Sequence, residues 1–152
     1  MTAGAQALAE AVVHGMLERD AFSAWLGLEV SDLGPGRVTC RMTVRREMLN
    51  GFDVCHGGIT FALADSALAF ASNTNGRVTV SIENSMTYPA KIREGDRLAA
   101  AAEEESATQR LAFYRVVVRN QDGTTVGLFR GTVYRTEHRH PAAEPLPRSA
   151  PA

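Results

Sequence analysis

The chain has 152 residues, 45% of them hydrophobic and 22% charged, with a formal net charge of -1 and a pI near 6.4. A single core at this length buries about 68–70% of the unfolded surface, so one globular domain is expected, and the near-neutral balance supplies no basic field for a nucleic acid. Two cysteines, Cys40 and Cys55, without CxxC spacing exclude a disulfide framework and a thiol-based metal site, and point to reduced thiols in a cytoplasmic protein.

The N-terminal stretch carries Glu10, His14, Glu18 and Arg19 where the apolar region of a signal peptide would lie. No apolar run reaches the roughly 18 residues of a membrane span, so no membrane partner is expected. Residues 5–20 read as an amphipathic helix, with Leu8, Val12 and Met16 recurring every four residues. A short strand is expected around residues 27–33, then a turn at Gly34-Pro35-Gly36. From Arg37 to Val44 the alternation is regular: Val38, Cys40, Met42 and Val44 face one way and the polar residues the other, as in an antiparallel strand with one buried face.

Residues 59–71 (ITFALADSALAFA) differ in kind, with ten of thirteen apolar and spread around the helical wheel, which is the pattern of a buried helix. After Gly76 the chain turns to strand. Val78, Val80, Ile82, Asn84, Met86 and Tyr88 alternate with Thr79, Ser81, Glu83, Ser85 and Thr87 until Pro89 ends the run. Further strands are expected at 97–104, 111–119 and 124–136, the last two joined by a hairpin turn at residues 120–123. The predicted order is one helix, two strands, one buried helix and four strands, an antiparallel α+β domain over 1–136. The Pro/Ala-rich segment 137–152 is expected to be a disordered tail.

One carboxylate carries the chemistry. Asp65 is the only charged residue between His56 and Arg77, in mid-helix among apolar neighbours, where an isolated charge is costly and Asp is a poor helix former. A structural role bonded to a buried partner and a functional role as a poised base or nucleophile are both open. Upstream, His56-Gly57-Gly58 opens the apolar helix, gathering unhindered backbone N–H groups at a helix N-terminus. Such a place accepts an anion or the oxyanion of an attacked carbonyl. Donors for an oxygen and a carboxylate two turns later together suggest acyl transfer.

The stretch MLNGFDVCHGGITFALADSALAFASNTNG resembles the PaaI-type hot-dog thioesterases, whose pattern is Asn-Gly, a gap, His-Gly-Gly and Leu-Ala-Asp. The resemblance runs from about Glu18 through VGLFRGTVYRT. It implies a hot-dog fold, a sheet wrapped around the central helix, and hydrolysis of phenylacetyl-CoA or ring-hydroxylated phenylacetyl-CoA without a cofactor or metal. It also implies that Gly57 polarises the thioester carbonyl while His56 and Asn50 support it. Asp65 then drives hydrolysis, as general base or nucleophile, from the facing subunit of a homo-oligomer, a tetramer built as a dimer of dimers. Substrate contacts are expected from Ser81, Gly58 and Phe61. The segment Ala90–Asp96 is longer than the family's usual link, so Lys91 and Arg93 read either as CoA-phosphate ligands or as solvated charges.

Other readings fare less well. An α/β-hydrolase needs a G-x-S-x-G elbow, which is missing. Cys55 and His56 are adjacent and cannot readily form a nucleophile–base pair. The four histidines, His14, His56, His138 and His140, form no ligand set. A general medium-chain acyl-CoA thioesterase, a hot-dog dehydratase and a non-catalytic acyl-CoA binder stay open.

Overall fold

The computed structural model describes residues 3–143. Helix α1 (Ala3–Leu17) buries Ala9, Val12 and Val13 and leaves Leu8 and Met16 partly covered, so its apolar stripe is rotated by one residue from the expected one. A second, unforeseen helix α2 (Ala21–Leu26) follows; the Asp20 carboxylate accepts the Ser23 N–H at its start, and Gly27 ends it at a φ of +69°. Six residues are too few to show a helical period, but the Asp cap and the terminal Gly were visible punctuation.

Strand β1 (Glu29–Gly34) pairs with β2 (Arg37–Thr43) across Pro35-Gly36, where Gly36 takes the positive φ of +72° that such a turn requires. The alternation expected of β2 is observed: Val38, Cys40, Met42 and the following Val44 are buried. A 3₁₀ turn (Arg46–Met48) leads to helix α3 (Gly57–Asn73), then β3 (Arg77–Thr87), β4 (Arg97–Ala107), β5 (Leu111–Arg119) and β6 (Thr125–Arg139). Gly123 closes the β5–β6 hairpin at a φ of +78°.

The six strands form one antiparallel sheet in the order β1-β2-β4-β5-β6-β3. Helix α3 lies along one face of it, against β2, β3, β4, β5 and β6. This is the hot-dog arrangement, and the α+β expectation holds. Leu63, Leu68 and Phe70 of α3 meet Leu98, Val116, Val118 and Phe129 of the sheet in the core. At about 25 cal/mol per Å² of apolar area, this layer is the main source of stability.

Two departures bear on the site. The even alternation read for β3 is broken by register shifts between Arg77 and Thr79 and between Ser81 and Glu83. Thr79 is therefore buried, while Val80 (47% exposed) and Ile82 (57%) face outward on a strand with one free edge. Strand β6 also runs past residue 136 to Arg139, because the Arg77 guanidinium donates to the Thr136 and Arg135 carbonyls and the His140 N–H donates to the Gly76 carbonyl. The rest of the expected tail, 144–152, lies outside the described residues.

Candidate active site

His56 caps α3: its Nδ1 accepts the Gly58 N–H at 2.9 Å. The cap consumes one of the free donors at the helix start, and the His56 carbonyl takes a second, from Ile59. The Gly57 N–H donates to no acceptor among the described residues. Gly57 is also fixed sterically. The Tyr88 hydroxyl donates to its carbonyl at 3.0 Å, and a Cβ built on Gly57 would stand 3.2 Å from the Tyr88 ring. Burial pushes the Tyr88 phenol up, so it stays protonated and remains a donor.

Asn50 precedes this corner. Its Oδ1 accepts the Phe52 N–H at 2.9 Å and its backbone N–H donates to Val54, folding the loop around Asp53, which takes a φ of +57°. The Cys55 N–H donates to Ile92, tying the loop to the segment after β3. Between them lies a cleft of about 310 Å³ lined by Val54, Gly57, Thr60, Tyr88 and Lys91. Burial pushes the Cys55 thiol up, which argues against a thiolate nucleophile.

Asp65 lies two turns further along α3, partly buried. Burial raises its carboxyl above the ordinary 3.8, and a hydrogen bond from Asn84 works in the opposite sense. The Asn84 Nδ2 donates to Asp65 Oδ1 at 3.0 Å, and the Ser81 hydroxyl donates to Asn84 Oδ1 at 2.8 Å. Among the described residues no ion pair is formed by the carboxylate.

The sequence-predicted residues therefore form two groups. Asn50, His56, Gly57 and Gly58 gather at the α3 N-terminus. Asp65 and Ser81 belong to a second group, joined by Asn84. Phe61 lies between, packed edge-on against Phe129 with ring centroids 5.3 Å apart and partly exposed. Arg93 is tied through its N–H to Asp96, whereas Lys91 lines the cleft beside Gly57. No cluster of three or more potential metal ligands occurs among the described residues. Sequence reasoning missed Asn84 and Tyr88. Tyr88 stood next to the strand-ending Pro89, and Asn84 was the one amide in a run of otherwise apolar alternate positions.

A profile of the thioesterase superfamily matches residues 52–127. The chain is 36% identical over 122 residues to the acyl-coenzyme A thioesterase PaaI of Escherichia coli, covering 80% of this chain and 87% of that one. The solved structure of the E. coli PaaI protein, from the phenylacetic acid degradation operon, superposes with a TM-score of 0.87 over 88% of this chain and 97% of that one, at 34% identity. Human acyl-coenzyme A thioesterase 13 is 31% identical over 80% of this chain and 88% of its own. A Streptococcus pneumoniae thioesterase protein solved with coenzyme A is 25% identical, with a TM-score of 0.77 over 83% of this chain and 98% of that one.

Proposed function

The chain belongs to the thioesterase superfamily and is an acyl-CoA thioesterase of the PaaI type, and on that premise we propose that it hydrolyses phenylacetyl-CoA or a ring-hydroxylated phenylacetyl-CoA at a site shared by two copies of the chain. One observation carries the shared site. Gly57 and Asp65 stand eight residues apart on one helix, about 12 Å along its axis, whereas a reacting carbonyl must lie about 3–3.5 Å from each group that acts on it. One chain cannot bring both to the same carbonyl. A second copy facing it can, with its own Gly57 N–H opposite this Asp65.

The outward-facing Val80 and Ile82 on the free edge of β3 support that pairing. So does the incompletely covered face of α3 that carries Phe61, Ala62 and Asp65. In this reading the thioester carbonyl oxygen accepts the Gly57 N–H, with His56 and Asn50 beside it. The Asp65 carboxylate takes a proton from water as the water oxygen bonds to the carbonyl carbon. The negative charge that develops on the oxygen meets the Gly57 N–H, an interaction whose loss costs about 10²–10³ in rate elsewhere. Collapse then breaks the C–S bond, and CoA leaves with the proton. Direct attack by the carboxylate, through an anhydride, uses the same geometry. Lys91, which lines the cleft, is the cation this reading assigns to the CoA phosphates.

The aryl preference rests on kinship with the E. coli protein and on the partly exposed Phe61 beside Asp65. Because the Phe61 ring is engaged with Phe129, a general medium-chain acyl-CoA thioesterase is the second reading. The test is a panel of aryl-, medium- and long-chain acyl-CoA thioesters, with released CoA thiol read by a chromogenic reagent. Phenylacetyl-CoA esters should have the highest kcat/KM. Faster hydrolysis of aliphatic esters would move the assignment to the second reading, and no thiol release from any ester would leave only a binder.

A further inference from the structure

Strand β3 carries two polar side chains, Ser81 and Asn84, that the reaction scheme above does not use, and it brings them into one line with Asp65 of α3. In a regular strand, residues three apart face opposite sides of the sheet. The register shift between Ser81 and Glu83 reverses this, so the Ser81 hydroxyl and the Asn84 amide meet at 2.8 Å. Asn84 in turn reaches across to Asp65 on α3 at 3.0 Å. The space for that reach comes from β6. Asn84 pairs with Gly131, and a Cβ on Gly131 would stand 2.8 Å from Asn84 Oδ1 and 2.5 Å from Leu68. A bulge, a glycine and an amide thus converge on one carboxylate.

We propose that Asn84 is a positioning residue that aims the Asp65 carboxylate and holds it ionised, with the Ser81 hydroxyl holding the amide in the sense that points its NH₂ group at Asp65. The proposal rests on the reading of Asp65 as the catalytic carboxylate. An ionised carboxylate only accepts hydrogen bonds, so it demands the amide nitrogen; the amide oxygen then faces Ser81, which can donate to it. The line of three groups therefore has one consistent direction while Asp65 is charged. A protonated Asp65 tolerates the flipped amide as well, so proton uptake and amide orientation are coupled.

Other charges do not replace this hydrogen bond. Glu83 on β3 is exposed, and Arg130 on β6 is paired with Glu105 at 2.8 Å. No other charged group on α3 lies between His56 and Arg77. In the shared site the second copy would bring the titratable groups of its own cleft, His56, Cys55, Tyr88 and Lys91.

The test follows the Asp65 carboxyl by NMR in protein labelled with ¹³C-aspartate, the signal being assigned by its loss in Asp65→Asn. Removal of a charge-assisted donor in Asn84→Ala should raise the titration midpoint of that carboxyl by about one pH unit. Ser81→Ala should raise it less, and the double variant should match Asn84→Ala alone. Ser81 is exposed, so its variant keeps the proposal testable should Asn84→Ala fail to fold. In kinetics, the acid limb of kcat/KM should move by the same amount while KM for the thioester holds. An unmoved carboxyl titration in a folded Asn84→Ala protein overturns the proposal, and an additive double variant would overturn the role given to Ser81. A titration that moves in a protein inactive on every thioester would count against the thioesterase reading and not against the role of Asn84.

Discussion

Two inactive proteins should restore activity to each other. Asp65→Ala removes the carboxylate, and Asn50→Ala removes the side chain that holds the loop before Gly57 through the Phe52 N–H. About 12 Å of helix separates Gly57 from Asp65 within a chain, so in the proposed shared arrangement each intact site combines Asp65 from one copy with Asn50, His56 and Gly57 from the other. If the two variants are mixed in equal amounts, dissociated and reassembled, about half the pairs are mixed. Each mixed pair holds one intact site and one doubly damaged site, so about one quarter of wild-type activity should return in this symmetric scheme. The assay is thiol release from a CoA thioester, with mixed pairs counted by native mass spectrometry on chains of distinguishable mass. A flat zero with mixed pairs present would refute the shared site and the helix-length reasoning behind it.

Two further outcomes follow from the local geometry. Burial raises the Asp65 carboxyl above 3.8, so the folded state disfavours its charge; its contribution to stability is full below about pH 4 and is lost as pH rises through the folded value. Asp65→Asn should therefore raise Tm modestly at pH 7, a gain that vanishes near pH 4, while kcat falls by about 10²–10⁴; differential scanning fluorimetry across pH reads the first and thiol release the second. Tyr88→Phe removes one hydrogen bond to the Gly57 carbonyl, worth about 1 kcal/mol, and should lower Tm by about 2–4 °C and kcat severalfold, whereas an unchanged kcat would show that ring packing alone sets the Gly57 peptide.

Much of the fold was legible because its signals are local. The alternation of Val38, Cys40 and Met42 and the apolar run of α3 each state a period within a few residues. So do the Gly-Gly start of α3 and the turn before Gly123. What stayed hidden depends on register between distant strands. Nothing in VTVSIENSMT announces that a bulge will turn Ser81 toward Asn84, since a bulge is defined only against its partner β6. Asn84 could not be linked to Asp65 without knowing that Gly131 lies opposite it. Helix α2 escaped for another reason: six residues carry a cap and a stop but less than two turns of pattern. The motif itself, by contrast, pointed to Asp65 and Gly57 but not to Asn84 on β3 and Tyr88 just after it, which hold them.

The position of β3 in the sheet also sets when the site can exist. Its one neighbour among the described strands is β6, the last of them in chain order, while β2, β4 and β5 can pair earlier. During synthesis the segment 77–87 therefore waits, unpaired, for about fifty further residues (77–87 to 125–139) before its register is fixed. Until then the bulge has no template, Asn84 has no glycine to lie against, and the Asp65 side chain has no guide. A nascent chain that stops before residue 125 retains every residue of the His-Gly-Gly and Leu-Ala-Asp motifs and still lacks the strand that sets the register of β3, so the proposed line from Ser81 to Asp65 cannot form until β6 has been made.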